Sequence, residues 1–255
     1  MRRLELVFGA IVTALAVFVA VEARSARVYS AYLGGAVSAP IASSSEEPRR
    51  ERPAEAPVTD AVTKTRDIEE IRRLLREGAP GTYVHELLLQ RDSALARWPD
   101  RRRNPLKVWI QQETPTSDFS VGFPDIVRAA FQEWMLTGIP LTFLFVRDSA
   151  KADIHVTWIN RFDEQISGKT LWAHDDDWWI VEGNIVLAIH HRGGEPLDTS
   201  AVRAIALHEV GHLIGLDHTT DTANIMTPKV RVKELSDADR ATARLLYALP
   251  AGKVK

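Results

Sequence analysis

The stretch His208-Glu209-Val210-Gly211-His212-Leu213-Ile214-Gly215-Leu216-Asp217-His218 decides how this chain reads. His208 and His212 are four apart, so on a helix both imidazoles leave one face and can grip a single metal ion. Glu209 stands one residue along, at the edge of that face. There it reaches a water on the metal rather than the metal itself. Gly215 falls just past the last turn, where glycine permits the left-handed conformation that ends a helix and turns the chain sharply. The turn lets His218 swing back as a third ligand. Three neutral imidazoles with a fourth position open is the arrangement of a catalytic rather than a structural zinc site. Five fixed positions also make the pattern far more specific than HExxH alone.

The chain around this motif has 255 residues, 45% hydrophobic and 26% charged, with a formal net charge of −2. These proportions suit a folded protein and exclude wholesale disorder. The near-neutral balance gives no reason to expect nucleic acid as a partner. There is no cysteine. Disulfides, thiolate ligands and thiol nucleophiles are therefore excluded, and any metal must rest on nitrogen and oxygen.

Upstream, Arg2 and Arg3 precede the 16 uncharged apolar residues 6–21. That run is shorter than the roughly 20 residues of a bilayer-spanning helix. It slightly exceeds the usual signal-peptide core of up to about 15. Residues 1–26 are therefore expected to be a signal peptide or a membrane anchor, with anchoring through residues 4–21. Either reading places the rest of the chain outside the cytoplasm, secreted or in the cell envelope. Residues 27–63 include a stretch rich in Pro, Ala, Ser, Glu and Arg, with too little apolar surface to offset ordering, and read as a flexible linker.

Residues 64–104 read as a helical prosegment or spacer. Asp67 with Glu70 resembles a capping box, followed by Ile68, Ile71, Leu74 and Leu75 at helical spacing and closed by Gly78 and Pro80. Residues 83–95 are expected to be helical too, with Thr82 as cap. Arg101-Arg102-Arg103 marks a boundary. Residues 105–250 then read as an α+β domain, large enough to bury its own core. Strands are expected over 106–110, 141–146, 154–159 and 185–189. Helices are expected over 124–136, over 199–214 with Asp198 or Thr199 as cap, and from Ser236 with Asp239 at the third position.

HEVGHLIGLDH resembles the extended zinc motif of metzincin metallopeptidases. Asn224-Ile225-Met226-Thr227-Pro228 resembles their Met-turn, with Met226 as the apolar floor beneath the ligands. Within that group the chain is most similar to the matrixins, the matrix-metalloproteinase family. Supporting features are Gly215-Leu216-Asp217-His218-Thr219, Ala152-Asp153-Ile154, Ala130-Phe131 through Trp134 followed by Pro140-Leu141-Thr142-Phe143, and Leu235-Ser236 opening the last helix. The resemblance covers about residues 105–250. It implies a zincin-like catalytic domain: a twisted mixed sheet, an active-site helix beneath it, a C-terminal helix, and a cleft that binds extended peptide along the sheet edge.

On this reading the chain is a zinc metalloendopeptidase, with protein or peptide as substrate. His208, His212 and His218 hold one zinc, and Glu209 takes a proton from the zinc's water and passes it to the departing amine. Trp172, Trp178 and Trp179 either border the cleft or pack in the core. The chain departs from the family in two places. Without cysteine, a propeptide thiol cannot hold it latent; and Val230 stands where a Tyr commonly walls the S1′ pocket. A second, structural Zn²⁺ or a Ca²⁺ would have to come from His155, His174, His190 and His191 with Asp163 and Asp175 to Asp177, whose spacing matches the family pattern poorly. Two other functions stay open: a zinc-containing envelope binding module that no longer cleaves, or a zinc amidase on a non-protein substrate. An intact Glu209 argues against the first.

Overall fold

The computed structural model describes residues 60–253. The expected signal or anchor over 1–26 lies outside them, as does all of the expected linker but its last residues. Among the described residues no helix is long and apolar enough to cross a membrane.

Helix α1 (Asp60–Gly78) begins well before Asp67, so Asp67 is an interior residue and not a cap. Glu70 does not reach back to a cap either: it receives Arg73, at 2.6 Å. Local cap chemistry was present in the sequence, but the helix propagated through it, since Asp60 to Arg66 contain no breaker. Gly78 ends it as expected, close against Leu245. Helix α2 (Val84–Gln90) is shorter than the apolar pattern of 83–95 suggested. Thr82 turns its hydroxyl to the Ala79 carbonyl at 2.8 Å, and Tyr83 occupies the cap position. Asp92 and Ser93 take positive φ, the chain turns, and β1 (Ala94–Leu95) pairs antiparallel with β7 (Gly252–Lys253) near the C-terminus.

The main sheet has five strands in the order β3-β2-β4-β6-β5: β2 (Leu106–Ile110), β3 (Phe143–Phe145), β4 (Ile154–Ile159), β5 (Gly168–His174) and β6 (Ile180–Ala188). β2 pairs parallel with β3 and β4, and β4 with β6; only β5 runs antiparallel, against β6. The mixed sheet is as the resemblance implied. The parallel pairs demand crossovers, and helix α3 (Phe123–Met135) makes the one between β2 and β3. Alternation explains β2 and β4: Leu106, Val108 and Ile110, and Ile154, Val156 and Trp158, are buried while their neighbours are not. β3 is shorter than the expected 141–146 and β6 longer than 185–189. β5 was not expected. All but one of its residues are half-buried, so it shows no period-2 hydrophobic signal.

Helix α4 (Thr199–Leu213) lies against β5 and β6 and packs on α3, where the Trp134 indole donates to the Leu207 carbonyl at 2.9 Å. The Asp198 carboxylate caps it, accepting from Ala201 N at 2.7 Å. Helix α5 (Asp237–Ala248) starts after Ser236 as expected, and Ser236 and Asp239 form a full capping box there. Its Tyr247 hydroxyl donates to the Ile214 carbonyl at 2.9 Å.

Residues 83–98 contribute to the same core as the sheet. Val84, Leu87, Leu95, Ala96 and Trp98 are buried, and the Trp98 indole donates to the Leu213 carbonyl at 2.9 Å. Each large apolar side chain of this kind contributes roughly 1.5–3 kcal/mol by leaving water. The Tyr83 hydroxyl donates to buried Asp239 at 2.9 Å, and Ile180 N donates to the Arg97 carbonyl.

Candidate metal centre and active site

Helix α4 is buried on nearly all sides, so its last turns can be lined by polar groups only where these meet partners. They do. The buried His208 ring donates from Nδ1 to the Ile225 carbonyl at 2.7 Å, and His212 from Nδ1 to the Leu216 carbonyl at 3.0 Å. Because a carbonyl can only accept, both rings carry their proton on Nδ1 and present a lone pair at Nε2.

The turn that delivers the third histidine forms as the sequence required. Gly215 takes φ +104°, and a Cβ there would strike the backbone carbonyl of Ala96. Any other residue would therefore be both strained and blocked. The Nε2 atoms of His208, His212 and His218 then converge at 3.1, 3.2 and 3.3 Å from one another. Zinc–nitrogen bonds of about 2.0–2.1 Å in a tetrahedron place donor atoms about 3.3 Å apart. The three residues thus fit a tetrahedral metal ion with one position open. Burial pushes the His208 pKa down to about 4, that of His212 well down, and that of His218 down as well. All three rings are neutral at pH 7, as metal ligation needs.

Glu209 is 4% exposed. Burial pushes its pKa up to about 7, against the lowering effect of the Thr170 hydroxyl, which lies 2.6 Å from its Oε2. Gly168 stands opposite: a Cβ there would come within 2.5 Å of the Glu209 Oε1. Sequence reasoning missed both Gly168 and Thr170, because β5 lies far upstream of the motif and carries no pattern of its own. Met226 is fully buried with its sulfur against Gly211, and its carbonyl accepts from Thr219 N at 2.9 Å. That bond ties Met226 to the segment just after His218.

The other expected ligands do not assemble. His155 bonds the Ser149 carbonyl, His174 stacks on Trp178 at 4.2 Å, and His190 pairs with Asp118 at 3.0 Å. Among the described residues, His208, His212 and His218 are the one group of three ligand side chains close enough to share an ion. Of the tryptophans, Trp172 lies on β5 beneath Arg91, 4.9 Å away, and Trp179 lies beneath Arg97 at 4.6 Å. Val230 is half-buried against the core.

Two histidines near the end of a buried helix and a third beyond its turn, beside a buried glutamate, form a group that could hold a metal ion. The matrixin family profile matches residues 97–248, and this chain belongs to that family. It is 28% identical over 173 residues to Metalloendoproteinase 5-MMP of Arabidopsis thaliana, covering 59% of this chain and 45% of the relative. It is 32% identical over 80 residues to Metalloendoproteinase 1 of Glycine max, covering 29% of this chain and 24% of the relative. The chain thus spans less than half the length of either curated relative.

Proposed function

We propose that this chain is a zinc-dependent endopeptidase that hydrolyses peptide bonds of proteins outside the cytoplasm. The observation that carries the reading is the convergence of three neutral imidazole Nε2 atoms beside a buried carboxylate. Zinc held by His208, His212 and His218 would supply a Lewis acid that polarises the scissile carbonyl and acidifies a water.

The rest of the chemistry belongs to the chain. Glu209, with its pKa near neutral, is matched to accepting a proton at working pH and returning it to the departing amine. Thr170 holds the carboxylate in place, and Gly168 leaves the room it needs. β5 is the terminal strand of the main sheet, and Thr170 brings it beside Glu209. Its outer edge, along which no further strand pairs among the described residues, could receive an extended peptide as an added strand. Recognition through backbone favours a peptide over a non-protein amide. An extracytoplasmic setting rests on Arg2, Arg3 and the apolar run over 6–21.

The full chain should bind one zinc per molecule and cleave an unstructured protein such as casein, with cleavage lost to a chelator and restored by zinc. Tight zinc binding with no cleavage of any protein, alongside hydrolysis of small amides, would move the reading to an amidase.

A further inference from the structure

The turn that carries His218 is held from outside by helix α2, and the contacts converge on one side chain. Arg91, at the end of α2, has 11% of its side chain exposed and pairs through Nε with the Asp217 carboxylate. Its Nη1 donates to the Gly215 carbonyl at 2.9 Å, and its Nη2 lies 3.5 Å from the Leu216 carbonyl. That Leu216 carbonyl is also the acceptor for His212 Nδ1. The guanidinium therefore spans the left-handed glycine, the acceptor that orients the second ligand, and the residue next to the third. Neighbouring residues extend the grip: Gln90 Nε2 donates to the His218 carbonyl at 2.7 Å, and Glu86 accepts from Thr219 Oγ1 at 2.9 Å and Thr220 N at 2.8 Å. A planar fork spreads its donors over three nitrogens and so meets a carboxylate and two separate carbonyls together, where an ammonium has only one nitrogen to place.

We propose that Arg91 is a positioning residue for the metal centre, fastening residues 215–218 so that His218 meets His208 and His212. This rests on the zinc reading above. It makes residues 83–98 a working part of the catalytic domain, in place of a removable prosegment or a spacer. The same segment supplies the Ala96 carbonyl that closes on Gly215 and the Trp98 indole that holds the end of α4.

The test is a double-mutant cycle on zinc affinity in the full chain, measured by competition with a chromophoric chelator. Losing a partner that orients metal ligands weakens affinity by about 10- to 100-fold, and that is the loss expected for Arg91→Met. On a His218→Ala background the same substitution should change affinity less than about twofold, since coupled residues do not add. The visible bands of the cobalt-substituted Arg91→Met chain should differ from those of the wild type. Arg97→Met removes a guanidinium from the same segment, but one directed to the Leu249 and Trp98 carbonyls. It should leave zinc affinity unchanged, which separates positioning from general support. If Arg91→Met does not fold by circular dichroism, Arg91→Lys serves in its place, with a smaller but measurable loss. Wild-type affinity in the folded Arg91 variant, or an equal loss with and without His218, overturns the proposal alone. Failure of the wild-type chain to bind zinc overturns the zinc reading and this proposal with it.

Discussion

The Thr170 hydroxyl lies 2.6 Å from the Glu209 carboxylate and 2.9 Å from the Glu209 backbone carbonyl, so its single proton is placed between the two acceptors of that residue, with the carboxylate the nearer. A hydrogen bond to a carboxylate contributes about 1.5–3 kcal/mol. Thr170→Val keeps the shape and removes the donor. It should lower kcat about tenfold or more while zinc affinity stays at the wild-type value. Steady-state kinetics beside zinc competition checks this.

Gly168 faces the same carboxylate from the other side. Alanine there would place its Cβ 2.5 Å from Oε1 and 2.7 Å from Cγ of Glu209, inside any real contact distance. Gly168→Ala should therefore fold and bind zinc but lose at least about 100-fold in kcat, the cost of misplacing a reacting group by about 1 Å. A wild-type rate in this variant would show that Glu209 reaches its proton from another rotamer.

The metal-free chain should carry a pH signature of these buried groups. Glu209 is raised from 4.5 to about 7, so between those values the unfolded chain ionises while the folded one keeps its proton; stability falls as pH rises through that window. His208 is lowered from 6.5 to about 4, so its contribution is lost as pH falls from 6.5 towards 4, and His218 acts in the same direction. Glu209→Gln removes the first effect alone. Urea unfolding with chelator should show this variant gaining on the wild type by up to about 3 kcal/mol between pH 4.5 and pH 8.

Met226 and Gly211 form a lock whose halves can be separated. A Cβ on Gly211 would strike the Met226 sulfur and come within 3.1 Å of the Trp134 ring. Overpacking a tight core costs about 1–3 kcal/mol, and Gly211→Ala should lose that much in chemical denaturation. Gly211→Ala with Met226→Ala should cost less than the two single changes added together, because the second removes what the first collides with.

What could be read in the sequence was whatever is local. The spacing of His208 and His212, the turn at Gly215 and the helix start at Ser236 each depend on residues within a few positions, and each formed as expected. Even locally the reading could fail: Asp67 and Glu70 have the letters of a cap inside a helix already under way. What stayed hidden depends on chain closure over long separations. Thr170 meets Glu209 from 39 residues away, and Arg91 meets Gly215 from 124. Nothing in the composition of GKTLWAH or VHELLLQR marks those partners, because β5 is half-buried throughout and α2 spans barely two turns.

The proposed chemistry has Glu209 transfer protons beside a metal held by three histidines. Zinc content and casein cleavage of Glu209→Gln, set against the wild-type chain, test it most directly. One zinc per chain is expected in both proteins, with a fall in cleavage of about 100-fold or more in the variant. Cleavage at the wild-type rate by a zinc-loaded Glu209→Gln chain would contradict it.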